Sequence, residues 1–230
     1  MQNLILLHGA LGSQQRFDVL KNLLSNSFNV HTLNFSGHGG KPLPDDKLSI
    51  PLFAEELKQF ITTNNLAPAH IFGYSMGGYI ALYLAHEQPA LINNIATLAT
   101  KFAWSPASAQ AEAQMLNPEK MEEKIPAFAQ QLKTIHQPTD WKLLVNAIAG
   151  MMLDLGNALA LTDEMFKHIQ QKVLLMVGDN DKMVSIAETE HVYTLLPISA
   201  FEILENTPHP FEKVNAELLR DKLVEFFKTV

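Results

Sequence analysis

Six short apolar runs, each bounded by turn-forming residues, constrain this chain more than any other feature of its sequence. The runs are Asn3 to Leu7, Asn29 to Phe35, Ala69 to Tyr74, Ile92 to Ala99, Val173 to Val177 and Ala200 to Leu204. Short runs that are apolar on both faces are typical of strands in a parallel sheet covered by helices on each side. The sequence therefore predicts a central sheet of about six strands.

Segments with helical spacing of apolar residues separate these runs. They include Phe53 to Ile61, Tyr79 to His86 and Phe211 to Phe227. Apolar residues at three- and four-residue steps share one face of a helix, which can then pack on the sheet. The alternation of strand and helix predicts an α/β fold with a mostly parallel sheet and helices on both faces.

The segment 102–166 interrupts this alternation, because it has no convincing strand and several helix starts. Four of its residues are of types that cap helices: Ser105, Asn117, Thr139 and Thr162. We therefore expect residues 1–101 and 167–230 to form the core and residues 102–166 to form a helical cap insertion. The apolar residues of this insertion either pack on a core of their own or, in part, roof a binding pocket.

Composition excludes several kinds of site. The chain has no Cys, which excludes disulfides, thiolate metal ligands and a cysteine nucleophile. Its net charge of −7 and the absence of a basic stripe argue against a nucleic-acid partner. The first apolar run has no cationic residue before it and is read as a strand, not a signal peptide. No apolar stretch reaches the roughly 20 residues of a bilayer span, so we expect a cytoplasmic protein with no membrane partner.

The histidines and glycines do not indicate a metal or nucleotide site. No pair of histidines has convincing metal-ligand spacing, and no Gly-Lys-Ser/Thr follows the glycines at 37, 39 and 40. We expect no cofactor and no metal. His8 is expected to make a structural hydrogen bond, and His136 is expected to lie on a helix surface.

The segment Gly73-Tyr74-Ser75-Met76-Gly77 has the pattern of a nucleophile elbow. It lies where a predicted strand meets a predicted helix. The turn is so tight that the serine is strained, and only glycine two positions before and two after it avoids collision. The elbow exposes the Ser75 hydroxyl at a helix N-terminus, where the helix dipole favours negative charge. This pattern predicts Ser75 as a nucleophile.

The loop 8–12, of sequence His-Gly-Ala-Leu-Gly, directly follows the first strand. Acyl transfer places negative charge on the carbonyl oxygen, and each backbone N–H aimed at it lowers the barrier by ~3 kcal/mol. The N–H of Met76, just after the nucleophile, is one expected donor. The second should come from this loop, and we favour Ala10 over Leu11.

The motifs at 8–13 and 73–78 together resemble those of the α/β-hydrolase superfamily, and within it the small carboxylesterase-like and menaquinone-pathway synthase-like members. The resemblance covers the chain except 102–166. It implies the chain order serine, acid, histidine. The acid of the family follows the penultimate strand in a Gly-x-x-Asp turn, which matches Asp181, with Asp179 as the competing carboxylate. The histidine of the family follows the last strand, which matches His209.

The resemblance implies a serine hydrolase in which His209 is the general base and Asp181 orients it. Our leading hypothesis is hydrolysis of a carboxylic ester, or a thioester, through an acyl-enzyme. Elimination or C–C bond cleavage by the same residues is the first alternative. A non-catalytic protein that binds a small molecule is the second.

The expected pocket is apolar. Four residues are expected to contact the substrate: Leu11, Tyr79, Phe102 and Trp104. The menaquinone-pathway synthases carry an arginine after their elbow glycines to hold an anionic substrate, and Tyr79 stands at that position here. The chain has only two arginines, Arg16 and Arg220. We therefore expect a neutral small-molecule substrate, while the sequence indicates neither the natural substrate nor the oligomeric state.

Overall fold

A computed structural model describes residues 1–228 of the chain. Its strands form one all-parallel six-stranded sheet in the order β2-β1-β3-β4-β5-β6. The strands are β1 (Asn3–Leu7), β2 (Asn29–Thr32), β3 (Ala69–Tyr74), β4 (Ile92–Leu98), β5 (Val173–Gly178) and β6 (Ser199–Leu204). All six predicted strands are present, and the predicted α/β fold class is confirmed.

Ten α-helices accompany the sheet within the described residues. They are α1 (Asp18–Leu24), α2 (Ile50–Thr63), α3 (Met76–Glu87), α4 (Pro106–Met115), α5 (Pro118–Lys124), α6 (Pro126–His136), α7 (Trp141–Asn157), α8 (Asp163–Lys167), α9 (Ile186–Leu195) and α10 (Ala216–Lys228). None of these helices combines the length and apolar character needed to cross a bilayer.

Helices cover both faces of the sheet because successive strand residues point to opposite sides. In β1, Leu4 and Leu6 pack in the apolar cluster that includes α1 and α10. Ile5 and Leu7 pack in the opposite cluster, which includes α2 and α3. Each face of the strand therefore has its own helical layer, as the doubly apolar runs predict.

The C-terminal helix begins later than predicted. The periodicity suggested a helix from Phe211, but Phe211–Lys213 is a short 3₁₀ turn and α10 begins at Ala216. Val214 is extended, with φ of −73° and ψ of 136°. The side chain of Asn215 then accepts the backbone N–H groups of two residues in the first turn of α10. The helix start is therefore set by the Asn215 cap and not by the apolar periodicity.

Helices α4–α8 lie between β4 and β5, and no strand interrupts them. The side chains of Ser105, Asn117 and Thr162 accept backbone N–H groups at helix starts, as predicted. The predicted cap at Thr139 is wrong, because Asp140 caps α7 instead. The Thr139 hydroxyl donates to a backbone carbonyl in the loop after β2. This bond ties the helical insertion (residues 102–166) to the rest of the chain.

Candidate active site

Ser75 lies at the junction of β3 and α3 in a strained backbone conformation. Its φ is 51° and its ψ is −119°, a region that non-glycine residues rarely occupy. Its N–H donates to the Leu98 carbonyl at 2.8 Å, and its carbonyl accepts the Thr100 hydroxyl at 3.0 Å. Bonds from β4 and the segment after it thus hold the strained serine in place.

The glycines that flank Ser75 have no room for a side chain. A Cβ on Gly73 would collide with the backbone of Gly78. A Cβ on Gly77 would collide with the backbone carbonyl of Leu7, in β1. Glycine is therefore required at both positions, which is the physical content of the Gly-x-Ser-x-Gly pattern.

His209 and Asp181 meet at the carboxyl end of the sheet. The His209 Nδ1 and Asp181 Oδ2 atoms are 2.8 Å apart, and only 1% of the Asp181 side chain is exposed. The Asp181 Oδ1 atom accepts the N–H groups of Met183 and Val184 at 2.8 and 2.9 Å. Burial raises the pKa of the Asp181 carboxyl, but hydrogen bonds from His209 and these amides outweigh burial and lower it overall.

An ionised Asp181 can only accept a hydrogen bond, so His209 donates through Nδ1 and leaves Nε2 free to accept a proton. The competing carboxylate, Asp179, lies elsewhere and accepts the N–H of Thr207 at 3.1 Å. The loop that carries the histidine is fixed by Tyr74, whose hydroxyl donates to the His209 carbonyl at 2.7 Å. The geometry thus pairs Asp181, and not Asp179, with the histidine.

Ser75 and His209 line the same cavity, together with Ala10 and Met76. Within residues 1–228 no hydrogen bond joins the Ser75 hydroxyl to His209, and the Ala10 and Met76 amides donate to no protein acceptor. Contacts of this kind in ligand-free active sites often form only when a substrate binds. The hydroxyl, the imidazole and two unused N–H groups are therefore available to one ligand.

Three buried histidines hold the loop that carries Ala10. Leu11 adopts a left-handed conformation with φ of 56°. Its N–H donates to His38 Nε2 at 3.3 Å, so this amide is already used. Its carbonyl accepts from His136 Nε2, also at 3.3 Å, and His136 Nδ1 accepts the N–H of Gly39 at 3.0 Å. The backbone N–H and the carbonyl of the strained Leu11 are thus each hydrogen-bonded to an imidazole.

The expected surface position of His136 is wrong, because its side chain is fully buried at the end of α6. His8 makes the expected structural bonds, which link its ring to Gly9 O at 2.9 Å and Phe35 N at 3.2 Å. Burial lowers the pKa of His8 and of His136 to about 4 each, and burial lowers the pKa of His38 well below its usual value. All three rings are neutral at neutral pH.

The cavity has two parts that meet at Ser75 and His209. The deep lobe, of about 40 Å³, extends toward α3 and α7 and includes Met76 and Leu155. The outer groove, of about 570 Å³, runs under α4–α6 and includes Phe128. The two parts share Ala10, Ser75, Glu112, Met152, Met183 and His209.

The expected substrate-binding residues occupy different places. Tyr79 and Trp104 line the deep lobe, and Leu11 lines the outer groove. Phe102 lies behind the lining, where its ring packs at 6.3 Å from that of Tyr79 and at 5.7 Å from that of Phe166. Phe102 therefore supports the wall of the cavity and does not form it.

Sequence reasoning missed Glu112, which lines both parts of the cavity. Its carboxylate lies 3.4 Å from the ammonium of Lys101, which also donates to the Met183 carbonyl at 3.1 Å. The other cation at the cavity, Arg16, lies 2.7 Å from the Glu212 carboxylate. Both cations in the lining thus face an acid. Nothing local in the sequence marks Glu112, because its role depends on where α4 packs.

The described residues contain no group of three or more His, Asp or Glu side chains arranged to hold a metal ion.

Comparisons with known proteins agree with this architecture. A family model for the alpha/beta hydrolase fold matches residues 2–159. The chain is 24% identical to a pimeloyl-acyl-carrier-protein methyl ester esterase from Neisseria meningitidis serogroup C, over 92% of this chain and 88% of that protein. Among solved structures, a putative lipase from Acinetobacter baumannii superposes with a TM-score of 0.83 at 21% identity, covering 98% of this chain and 83% of that one.

A second solved structure is 2-hydroxy-6-oxo-6-phenylhexa-2,4-dienoate hydrolase from a Rhodococcus species. It superposes with a TM-score of 0.82 at 18% identity, and the match covers 99% of this chain and 91% of that one. Both structural matches lie below 25% identity and concern the fold.

Proposed function

Because the chain belongs to the alpha/beta hydrolase fold family, we propose that it is a serine hydrolase that cleaves a small, neutral carboxylic ester through an acyl-enzyme. Ser75 is the nucleophile, His209 the general base and Asp181 the residue that orients the base. The observation that carries the proposal is the strained Ser75 at the edge of a cavity that also contains an Asp181-bound His209.

The reaction follows from these groups. His209 Nε2 takes the proton of the Ser75 hydroxyl while its oxygen bonds to the ester carbonyl carbon. The Ala10 and Met76 N–H groups bind the oxyanion of the tetrahedral intermediate. The C–O bond to the alcohol then breaks, and the proton on His209 passes to the leaving oxygen. Water, deprotonated by His209, hydrolyses the acyl-enzyme in the same way and releases the acid.

The preference for a neutral substrate is supported by the charges at the cavity. Arg16 and Lys101 each face a carboxylate, of Glu212 and Glu112 respectively. A substrate carboxylate would have to replace one of these acids to gain a charged partner. The Tyr79 hydroxyl, at the position that resembles the arginine of the synthases, accepts the N–H of Leu161 at 3.1 Å and gives no positive charge.

We further propose that the chain divides into a catalytic core and a cap. Residues 1–101 and 167–230 form the catalytic core, and residues 102–166 form a cap. The support is that this segment supplies α4–α7, whose side chains line the cavity opposite Ser75.

Replacing the nucleophile tests the proposal. Wild-type protein should hydrolyse a neutral nitrophenyl ester such as the butyrate, and Ser75→Ala should lower kcat by several orders of magnitude because the acyl-enzyme cannot form. Ser25→Ala, at an exposed serine after α1, is the matched control and should keep the wild-type rate. Equal turnover by the wild type and Ser75→Ala would refute the assignment.

A further inference from the structure

The two parts of the cavity differ greatly in size, although both open at Ser75. The deep lobe holds about 40 Å³ and the outer groove about 570 Å³. A site needs on the order of 10–15 Å³ for each water-sized group, so the deep lobe takes about three such groups. The outer groove lies in the range of about 300–1,000 Å³ that is typical of whole ligand sites. A ligand that reacts at Ser75 would therefore place a small part in the deep lobe and a much larger part in the outer groove.

The chemistry of the outer groove favours an apolar occupant. Its insertion wall includes the apolar side chains of Met115, Leu116, Met121, Ile125, Phe128 and Met152, beside the polar Glu112 and Gln131. Methionine side chains are flexible and adapt to ligands of varied shape. The charges at the groove are paired within the protein, as described above, and offer no free partner to an ionic ligand.

Two residues of this wall are unusually exposed for apolar side chains. Met115 is 67% and Ile125 is 48% exposed. Both belong to one groove that is continuous with the candidate nucleophile, whereas scattered exposed apolar residues need no explanation. An apolar chain lying along the groove would bury this surface away from water, and this burial would strengthen its binding.

On the premise of the proposed ester hydrolysis, we infer that the substrate is an asymmetric ester. Its larger substituent is a flexible apolar chain in the outer groove, and its smaller substituent, of a few carbon atoms, occupies the deep lobe. The outer groove thus sets chain-length preference, and the deep lobe excludes esters with two long substituents.

Graded esters test this inference. Two series are needed: methyl esters of C4 to C10 acids, and acetates of C4 to C10 alcohols. In one of them kcat/KM should rise at least tenfold with chain length. The kcat/KM for hexyl hexanoate should be at least tenfold lower than the higher of the values for hexyl acetate and methyl hexanoate. A flat dependence on length in both series would overturn the inference.

A pair of matched variants assigns the effect to the groove. Ile125→Asp places a charge at the groove wall, in a position that precedes α6, where aspartate suits a helix start. It should lower the ratio of kcat/KM for the C10 ester to that for the C4 ester at least fivefold. Leu143→Asp makes the same change at a 58% exposed residue in the first turn of α7, away from the cavity, and should leave the ratio unchanged. Equal ratios in the two variants would contradict the inference.

A binding measurement separates this inference from the proposed function. Ser75→Ala protein should bind methyl decanoate or decyl acetate in calorimetry, and adding Ile125→Asp should weaken the binding of that ester at least fivefold. If no ester is hydrolysed but this binding holds, the proposed function fails and the groove assignment stands. If esters are hydrolysed at Ser75 but Ile125→Asp does not change the binding, the groove assignment fails alone.

Discussion

At the scale of single residues, the candidate site depends on which carboxylate the histidine meets. Asp181 Oδ2 lies 2.8 Å from His209 Nδ1, whereas Asp179 bonds to a backbone amide. The family resemblance favours Asp181 and leaves Asp179 as the competing carboxylate, since each lies in the same turn after β5. Side-chain direction within a turn depends on backbone dihedrals that the motif does not specify.

Replacing each aspartate by asparagine separates their roles. In Asp181→Asn the amide oxygen can still accept from Met183 and Val184, but the NH₂ group then faces His209 Nδ1 and favours the wrong tautomer. The expected loss in kcat is about 10³ to 10⁴. Asp179→Asn keeps an acceptor for Thr207 and should cost far less. Steady-state kinetics of both variants decide the matter, and the reverse ranking would move the orienting acid to Asp179.

The predictability of the site differs from residue to residue for a physical reason. The elbow around Ser75 is encoded largely locally, since Gly73 faces the backbone of Gly78 within the turn, and Gly77 faces the carbonyl of Leu7 in the neighbouring strand. His136 was misjudged because its partners lie far away in sequence, at Leu11 and Gly39. A histidine at the end of a helix gives no local sign of such contacts.

At the scale of elements, the buried histidines join three parts of the chain. His8 follows β1, His38 lies in the loop after β2, and His136 ends α6 of the insertion. Each ring donates through one nitrogen and accepts through the other. Protonating a ring removes its acceptor and breaks one of these bonds. The contact between insertion and core should therefore weaken in acid.

The direction of this effect follows from the lowered pKa values. In the folded chain the pKa values of His8 and His136 are about 4, mainly because burial disfavours the charged rings, with Arg16 and Lys41 acting in the same direction on His8. In the unfolded chain a histidine pKa is about 6.5. The unfolded state thus binds more protons between these values, and stability falls as pH drops from about 6.5 toward 4.

When the pH falls from 7 to 5, we expect each of these two imidazoles to lower the free energy of unfolding by roughly 1–2 kcal/mol. Denaturant unfolding at the two pH values measures the loss. His136→Gln keeps an amide donor and acceptor without a titrating ring, and should reduce the loss. His168→Gln, at an exposed histidine, is the control and should not. An identical acid loss in both variants would contradict this origin.

At the scale of the whole molecule, the chain combines a predictable sheet with an unpredictable cavity. The four central strands are recognisable because each is a short run largely buried on both faces, whereas the edge strands β2 and β6 are only partly buried. The cavity is formed where α4–α7 meet the sheet edge, and neither its two parts nor Glu112 could be derived from helix periodicity. The packing of an insertion depends on contacts between segments that are distant in sequence.

The central claim is that Ser75 carries the acyl group during turnover. The most direct measurement is mass spectrometry of wild-type protein quenched with acid during hydrolysis of a nitrophenyl butyrate, followed by digestion. We predict one butyryl group on the peptide that contains Ser75, and no such adduct in Ser75→Ala protein. Steady turnover with the acyl group on another residue, or turnover that persists in Ser75→Ala, would contradict the account.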